Sequence, residues 1–317
     1  MDWGVGRASD VRATAGREEE YVMSQAVLAG VDGSESSLVA ADWAAVEAAV
    51  RGVPLRLVHG SPPLPGPAVP GSATDRLREL GELLLERVAA DLRDRHPDVE
   101  VLCEQAGDAP DTALVAASSD AGLLVVGMRG TGGFDGLAVG RVALRTAAAA
   151  SCPVVLVPER LGTFAERTRA EHGAAPVVGG LNAHRAAGEV ADFAFLAAEA
   201  YGTGLRMVHA WEFPAEAVSS QTLVVTEEDR ATWEDQEELQ LSDALRPWRE
   251  RYPDVVVRTD VMLMHPAEAL LHVSQGAALL VVGRRTRSRS PEGRLGPVTC
   301  AVLQHAGCPV AVVPHDG

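Results

Sequence analysis

The sequence contains no lysine, so all 28 of its basic residues are arginine. A Walker A loop needs a lysine to reach the terminal phosphates of a nucleotide, and Schiff-base chemistry needs a lysine amine. The sequence therefore excludes both kinds of site. Any phosphate bound by this chain must be held by backbone groups and arginine side chains.

Cysteines are few and widely separated, and their spacing suggests neither a zinc site nor a disulfide framework. We expect buried, reduced thiols at all four positions, which are Cys103, Cys152, Cys300 and Cys308.

Long apolar runs are also absent, and none approaches the roughly 20 residues that cross a bilayer. The polar stretch MDWGVGRASDVRATAGREEE at residues 1–20 lacks the apolar centre of a signal peptide. We therefore expect a cytoplasmic protein without a membrane partner. The net charge of −16 argues against general nucleic-acid binding, which needs a basic surface.

The 317 residues are sufficient for two domains, and four segments of the first half recur in order in the second. A period of 150 to 156 residues is too long for a solenoid and indicates duplication of a whole domain. The pairs are LRLVHG (55–60) with LRMVHA (205–210), HPDVEV (96–101) with YPDVVV (252–257), GLLVVG (122–127) with ALLVVG (278–283), and CPVVLVP (152–158) with CPVAVVP (308–314).

Within each half, short apolar runs rich in β-branched residues alternate with longer segments of helical period. This pattern is typical of a parallel sheet covered by helices on both faces. The sequence thus predicts two tandem, doubly wound α/β domains, each with a five-stranded parallel sheet of the Rossmann-like type. The predicted bounds are a flexible tail at 1–24, a first domain at 25–158, a linker at 159–175 and a second domain at 176–317.

The charged stretch Thr226 to Glu250 has an apolar stripe and is predicted to be a solvated helix.

A further expectation concerns the assembly of the two domains. In the strand order of the family that the glycine motif below resembles, the last strand of each half would form an exposed apolar sheet edge. We therefore expect these two edges to pair within the chain and form a pseudo-twofold unit. Association of two chains into a homodimer is left open.

The glycine-rich segment VVGMRGTGGFDGLAVGR at 125–141 follows the fourth strand and precedes a helix that we expect to begin near Gly140. Ligands of open parallel sheets bind at the carboxyl ends of the strands. Glycine lets backbone N–H groups approach an anion, and a helix N-terminus adds positive partial charge. The segment is interpreted as an anion cradle or, alternatively, as a flexible surface loop. The usual dinucleotide fingerprint fits less well because it follows the first strand.

The glycines of this segment fit G-x2-G-x9-G, which resembles the ATP-binding motif of the universal stress protein family. VDGS at 31–34 and the strands LRLVHG and CPVVLVP also resemble family elements, and the likeness extends from about residue 25 to 315. The resemblance implies a role in stress or dormancy regulation, with ATP or another adenine nucleotide bound, with or without Mg²⁺; another branch of the family binds no nucleotide. The implied nucleotide-binding residues are Val31, Asp32, Gly33, Val58, Gly127, Met128, Arg129, Gly130, Gly140, Arg141 and Val142.

Several of these residues have a second interpretation. Asp32 could accept hydrogen bonds from a nucleotide or shape the turn after the first strand, and Val58 could line an adenine or belong to the core. Arg141 stands where the family places Ser or Thr, so it could grip the phosphates or obstruct them. His59 and His209 occupy equivalent strand ends, and we expect packed rather than catalytic histidines there.

The second half departs further from the motif. Asn182, Ala183 and His184 replace the Asp-Gly-Ser of the first half, while Thr286 replaces the middle glycine and Pro297 follows the last one. We therefore expect nucleotide in the first domain only. The arginine-rich segment 284–294 is interpreted as a solvated loop, with anion or acidic-partner binding as alternatives.

Three functional classes remain open at this point: a nucleotide-binding regulator, a scaffold of the same fold that has lost nucleotide, and, with least support, an ATP-hydrolysing enzyme. No nucleophile, base and orienting acid can be assembled from the sequence. We predict neither catalytic nor metal-binding residues.

Overall fold

The computed structural model describes residues 25–61, 71–130, 138–159, 175–212, 227–286 and 295–316. The predicted N-terminal tail and residues 160–174 of the predicted linker lie outside the described residues. No helix in these ranges combines the length and apolarity that a bilayer crossing requires.

The first domain alternates strands and helices as predicted. Its elements are β1 (Val27–Gly30), α1 (Glu35–Arg51), β2 (Leu55–Gly60), α2 (Gly71–Arg95), β3 (Val101–Ala106), α3 (Pro110–Ala117), β4 (Leu123–Gly127), α4 (Arg141–Ala149) and β5 (Val154–Val157). A short 3-10 turn, Ser118–Asp120, follows α3.

The second domain repeats this order, with a 3-10 turn at Ala183–Arg185 before its first helix. Its elements are β6 (Val177–Gly180), α5 (Gly188–Tyr201), β7 (Leu205–Trp211), α6 (Glu227–Arg251), β8 (Val257–Leu263), α7 (Pro266–Val273), β9 (Leu279–Arg285), α8 (Pro297–His305) and β10 (Val310–His315). The charged stretch predicted to be a helix is α6.

The strands form one ten-stranded sheet in the order β3-β2-β1-β4-β5-β10-β9-β6-β7-β8. Pairing is parallel within each domain, whereas β5 and β10 pair antiparallel. The predicted pairing of the two terminal edges is therefore present. This junction contains three residue pairs: Val310 with Leu156, Ala311 with Val155, and Val312 with Val154.

Apolar side chains fill a layer on each face of the sheet, because successive strand residues point to opposite faces. Val27 and Ala29 of β1 belong to the layer that includes Trp43 of α1, whereas Leu28 belongs to the layer that includes Ala147 of α4. Both layers contain residues of both domains, so the core is continuous across the junction of the sheets.

Three residues differ from the expectations. Cys103 is exposed rather than buried, because it lies on the edge strand β3, and Cys300 is only partly buried, while Cys152 and Cys308 are buried as expected. Arg284 does not belong to a solvated loop: it lies on β9, is 3% exposed, and donates to the Ala150 carbonyl of the first domain. Residues 287–294 of the predicted loop lie outside the described residues.

Candidate functional site

The chain order of the strands places a crevice between β1 and β4. Strand β1 is followed along the chain by β2 on one side, and the chain later crosses over to β4 on the other side. The connections that leave the carboxyl ends of these two strands therefore separate above the sheet. Such a switch point is where open α/β sheets bind ligands.

The turn after β1 is fixed by its own side chains. Gly33 has φ +81°, a left-handed conformation that a side chain disfavours. Oδ1 of Asp32 accepts hydrogen bonds from the Ser34 backbone N–H at 3.0 Å and from the Ser34 hydroxyl at 2.6 Å. The Ser34 hydroxyl in turn accepts from the Ser37 N–H at the start of α1. The turn-shaping role considered for Asp32 is thus present.

The loop after β4 packs directly against this turn. A Cβ added to Gly130 would lie 2.6 Å from Oδ2 of Asp32, so only glycine fits there without movement. A Cβ on Gly127 would lie 2.5 Å from the hydroxyl of Ser36, which also accepts from the Arg129 N–H at 3.2 Å. Gly127 therefore lets α1 pack closely on β4, whereas Gly130 brings the loop to the Asp32 carboxylate.

The third glycine of the motif closes the loop at the predicted helix start. The Gly140 N–H donates to the Met128 carbonyl at 2.7 Å, and α4 begins at the next residue, Arg141. Gly140 supplies no side-chain oxygen to the first turn of α4, whose N-terminus carries positive partial charge. Residues 131–137, the centre of the predicted cradle, lie outside the described residues.

The remaining predicted site residues divide by burial. The side chains of Val31, Val58 and Met128 are buried in the core, so only their backbone groups can contribute to a site. The Val31 N–H already donates to the Val58 carbonyl at 2.9 Å. Arg129 and Arg141 are exposed beside the crevice, and Val142 is half-buried.

The equivalent turn of the second domain has a different backbone. Asn182 accepts hydrogen bonds from the N–H groups of His184 and Arg185, and these residues form the 3-10 turn Ala183–Arg185. No residue with positive φ stands where Gly33 stands in the first domain. As a result α5 has 14 residues, whereas α1 has 17.

A cavity of about 400 Å³ lies at the carboxyl ends of the second-domain strands, in the place that corresponds to the crevice of the first domain. Its polar lining includes Asn182, Arg285, Thr299 and His315. Sequence reasoning placed Arg285 in the arginine-rich segment, with anion binding as one alternative, but it missed His315, which lies outside the family motif. His315 directly follows the repeated CPVAVVP motif, and this position is the sequence signal that could have placed it at the end of the last strand.

The loop of the second domain is tied to the end of the chain. Thr286, the counterpart of Gly130, donates its backbone N–H to the His315 carbonyl at 2.9 Å, and its hydroxyl contacts Asp316. A backbone donor at this position is therefore already engaged.

Comparison with known proteins gives a consistent result across the chain. The sequence pattern of the universal stress protein family matches residues 23–158 and again 175–314. Universal stress protein Rv1996 of Mycobacterium tuberculosis is 31% identical over 324 residues, with 92% of this chain and 96% of the relative covered. Universal stress protein Rv2005c of the same organism is 33% identical over 298 residues, with 90% and 96% covered.

A solved structure supports the same fold. The crystal structure of a universal stress protein from Archaeoglobus fulgidus superposes with a TM-score of 0.65 at 16% identity, covering 92% of this chain and 98% of that one. With two matches to the family pattern and relatives that span the same length, the chain belongs to the universal stress protein family, as a member with two tandem copies of its domain.

Proposed function

We propose that this chain is a regulatory universal stress protein that binds one adenine nucleotide, in its first domain. The observation that carries the proposal is the contact between Gly130 and Asp32, which joins the glycine loop to a carboxylate at the switch point. In the proposed complex Asp32 accepts hydrogen bonds from the ribose or adenine, and loop N–H groups with the N-terminus of α4 hold the phosphates. The proposed ligand is ATP or another adenine nucleotide, with or without Mg²⁺.

The second domain offers space but not the same chemistry. A cavity of about 400 Å³ is large enough for a small ligand. However, Asn182 replaces the carboxylate, the Thr286 N–H is already bonded, and Pro297 removes a donor at the start of α8. Each lost hydrogen bond weakens binding by roughly 0.5–1.5 kcal/mol, and bonds to charged phosphate by more. Several such losses reach the roughly 4.1 kcal/mol that separates micromolar from millimolar affinity.

Titration calorimetry on the intact chain tests the proposal. We expect a stoichiometry near one for ATP, and loss of binding in Gly130→Val, because the new side chain would collide with Asp32. The matched control is Thr286→Val at the equivalent loop position of the second domain, which should leave binding unchanged. A stoichiometry near two would contradict the asymmetry. Absence of heat with ATP, ADP and AMP would favour the second candidate, a scaffold without nucleotide.

Arg141 decides how the phosphates are held. Its side chain is exposed at the first position of α4. It can therefore turn toward a bound phosphate, and it does not fill the crevice in the unbound chain. We therefore expect Arg141→Ser to weaken binding in the same titration. Tighter binding in this variant would show that the arginine obstructs the site. Release of labelled phosphate from ATP, measured in parallel, distinguishes a regulator from a slow ATPase.

A further inference from the structure

Two imidazoles and a carboxylate converge in the second domain, outside the nucleotide motif. His184 lies in the 3-10 turn after β6, His209 lies on β7, and Glu237 lies on α6. The Nε2 atoms of His184 and His209 each lie 2.9 Å from Oε2 of Glu237. One ligand atom from each of the three side chains falls within 4.8 Å of the others.

The backbone on the Nδ1 side of the ring fixes the orientation of His209. Its side chain is 2% exposed, and Nδ1 lies 3.2 Å from the Leu181 carbonyl oxygen. When Nδ1–H donates to that carbonyl, Nε2 presents a lone pair toward Glu237. This is the arrangement found in histidines that bind metal, where a carbonyl fixes the tautomer of the ring. His59 of the first domain has the same contact, with Nδ1 2.7 Å from the Val31 carbonyl oxygen.

The two repeats differ in the residues that surround this histidine. Helices α2 and α6 occupy corresponding positions in the repeat, and Gly81 of α2 corresponds to Glu237 of α6. Gly81 lies against His59, since a Cβ there would be 2.7 Å from the imidazole Cδ2. Ser34 likewise corresponds to His184. Around one duplicated histidine, the second domain thus carries ligand-type side chains at both neighbouring positions.

The tautomer of His209 decides how the three groups are satisfied. Nδ1 of His209 lies 3.3 Å from the Ala183 N–H as well, and one nitrogen cannot both donate to Leu181 and accept from Ala183. With Nδ1 as the acceptor, Nε2–H donates to Glu237. With Nδ1 as the donor, Nε2 faces the carboxylate either through a second proton or through a bound cation. A single metal ion satisfies both Nε2 atoms and the carboxylate at once.

We propose that His184, His209 and Glu237 form a three-ligand site for zinc, with a fourth position facing solvent. Imidazole and carboxylate ligands are typical of zinc sites that keep an open position. Bonds of about 2.0–2.2 Å place tetrahedral ligand atoms about 3.3 Å apart, so the present 2.9 Å contacts need to open only slightly. His184 is 54% exposed on a short turn and can make that adjustment.

The bound ion would connect α6 to the turn at the rim of the second-domain cavity. Asn182 and Leu181 line that cavity, and they flank the start of the turn that carries His184. Zinc would therefore hold the rim of the cavity in place. The proposal is independent of nucleotide binding in the first domain.

The test uses the intact chain after removal of metal by a chelator. We expect one Zn²⁺ per chain by titration calorimetry, and visible d–d absorption of a tetrahedral type when Co²⁺ replaces it. His184→Ala and Glu237→Gln should each weaken Zn²⁺ binding by roughly tenfold or more, because each removes a ligand. His272→Ala is the matched control, since His272 is an exposed histidine of α7 away from the cluster.

We expect the His184→Ala variant to fold, because His184 is largely exposed. The hydrogen bonds from the backbone N–H groups of the turn to Asn182 also remain in this variant. Circular dichroism of each variant checks this directly. Zn²⁺ should also raise the Tm of the wild-type chain and not that of His184→Ala. Absence of Zn²⁺ binding by the folded wild-type chain, or binding that His184→Ala leaves unchanged, would overturn the proposal in favour of a hydrogen-bonded triad.

Discussion

Burial divides the thiols of this chain into two chemical classes. Burial raises the pKa of the Cys152 thiol to about 12 and that of Cys308 to about 11. Because the thiolate is the reactive form, these two residues are protected both by packing and by protonation. Cys103 is exposed on β3, and Cys300 is partly buried.

A thiol-labelling time course checks this division. Near pH 8 we expect the folded chain to react with a disulfide reagent first at Cys103 and more slowly at Cys300. Cys152 and Cys308 should react only after denaturant is added. Cys103→Ser serves as the control and should remove the fast phase alone. Rapid labelling of all four thiols in the folded chain would contradict the burial described here.

The spaced glycines of the motif differ in what they do. Gly127 provides room for Ser36 of the neighbouring helix, whereas Gly130 provides room for the carboxylate of Asp32. The spacing could be found in the sequence, but these roles could not, because they depend on side chains that lie 91 and 98 residues away along the chain. One motif therefore contains a glycine that allows close helix packing and another that brings the loop to a carboxylate.

At the scale of elements, the first helices of the two domains begin differently. Helix α1 is capped by Ser34, whose hydroxyl accepts from the Ser37 N–H at 3.2 Å. Helix α5 begins after Ala187, which provides no side-chain cap. The first turn of this helix is replaced by the 3-10 turn that carries His184.

Removal of the Ser34 cap should destabilise the chain. We expect Ser34→Ala to lower the free energy of unfolding by about 1 kcal/mol, because the Ser37 N–H and the Asp32 carboxylate both lose a partner. Equilibrium unfolding in urea measures the change. Ser119→Ala is the control: this exposed hydroxyl contacts only the Ala116 carbonyl in the described structure, and its loss should cost less than about 0.5 kcal/mol. Equal losses in the two variants would argue against the cap.

The order of the elements could be predicted from the sequence because buried parallel strands are apolar throughout, as in Leu123–Gly127, and the intervening helices carry apolar stripes. The pairing of β5 with β10 followed from the cost of leaving two apolar edges exposed. The burial of Arg284 could not be predicted in this way. Its partner is the carbonyl of Ala150, and only the assembled interface brings the two together.

The same limit applies to the candidate sites. The recurrence of His59 as His209 is visible in the sequence, but Glu237 lies on a charged helix whose sequence gives no sign of which carboxylate points inward. Alignment of the two halves contained the missing signal, since Glu237 falls where the first half has Gly81.

At the scale of the whole molecule, side chains connect the domains beyond the sheet. The Tyr201 hydroxyl at the end of α5 donates to Oε2 of Glu47 on α1 at 2.7 Å. Glu47 is 2% exposed and also pairs with Arg51, whose guanidinium lies 5.7 Å from the centre of the Phe193 ring. Burial, together with the neighbouring Glu47 carboxylate, raises the pKa of the Tyr201 phenol well above its ordinary value.

Tyr201→Phe tests this interdomain contact. We expect a loss of about 1–3 kcal/mol in the free energy of unfolding, since a hydrogen bond to a charged group is removed. The raised pKa means that the phenol contributes stability below about pH 10 and that this contribution disappears as the pH rises above that value. The difference between variant and wild type should therefore shrink in alkali.

The matched control is Tyr252→Phe. Its hydroxyl contacts Asp192 within the second domain, at 3.2 Å, and that carboxylate is more exposed than Glu47. We expect a smaller loss of stability, with less dependence on pH. If the two variants lost the same stability at every pH, the interdomain hydrogen bond would contribute no more to the free energy of unfolding than the control contact does.

The antiparallel junction of β5 and β10 joins two sheet edges of the same chain. The connection between the domains keeps the two edges at a high effective concentration, so dilution should not separate them. A symmetric pair of identical chains must carry every substitution on both sides of its axis. Here the two halves are free to differ: the first carries Asp32 and Gly130, whereas the second carries His184 and Glu237.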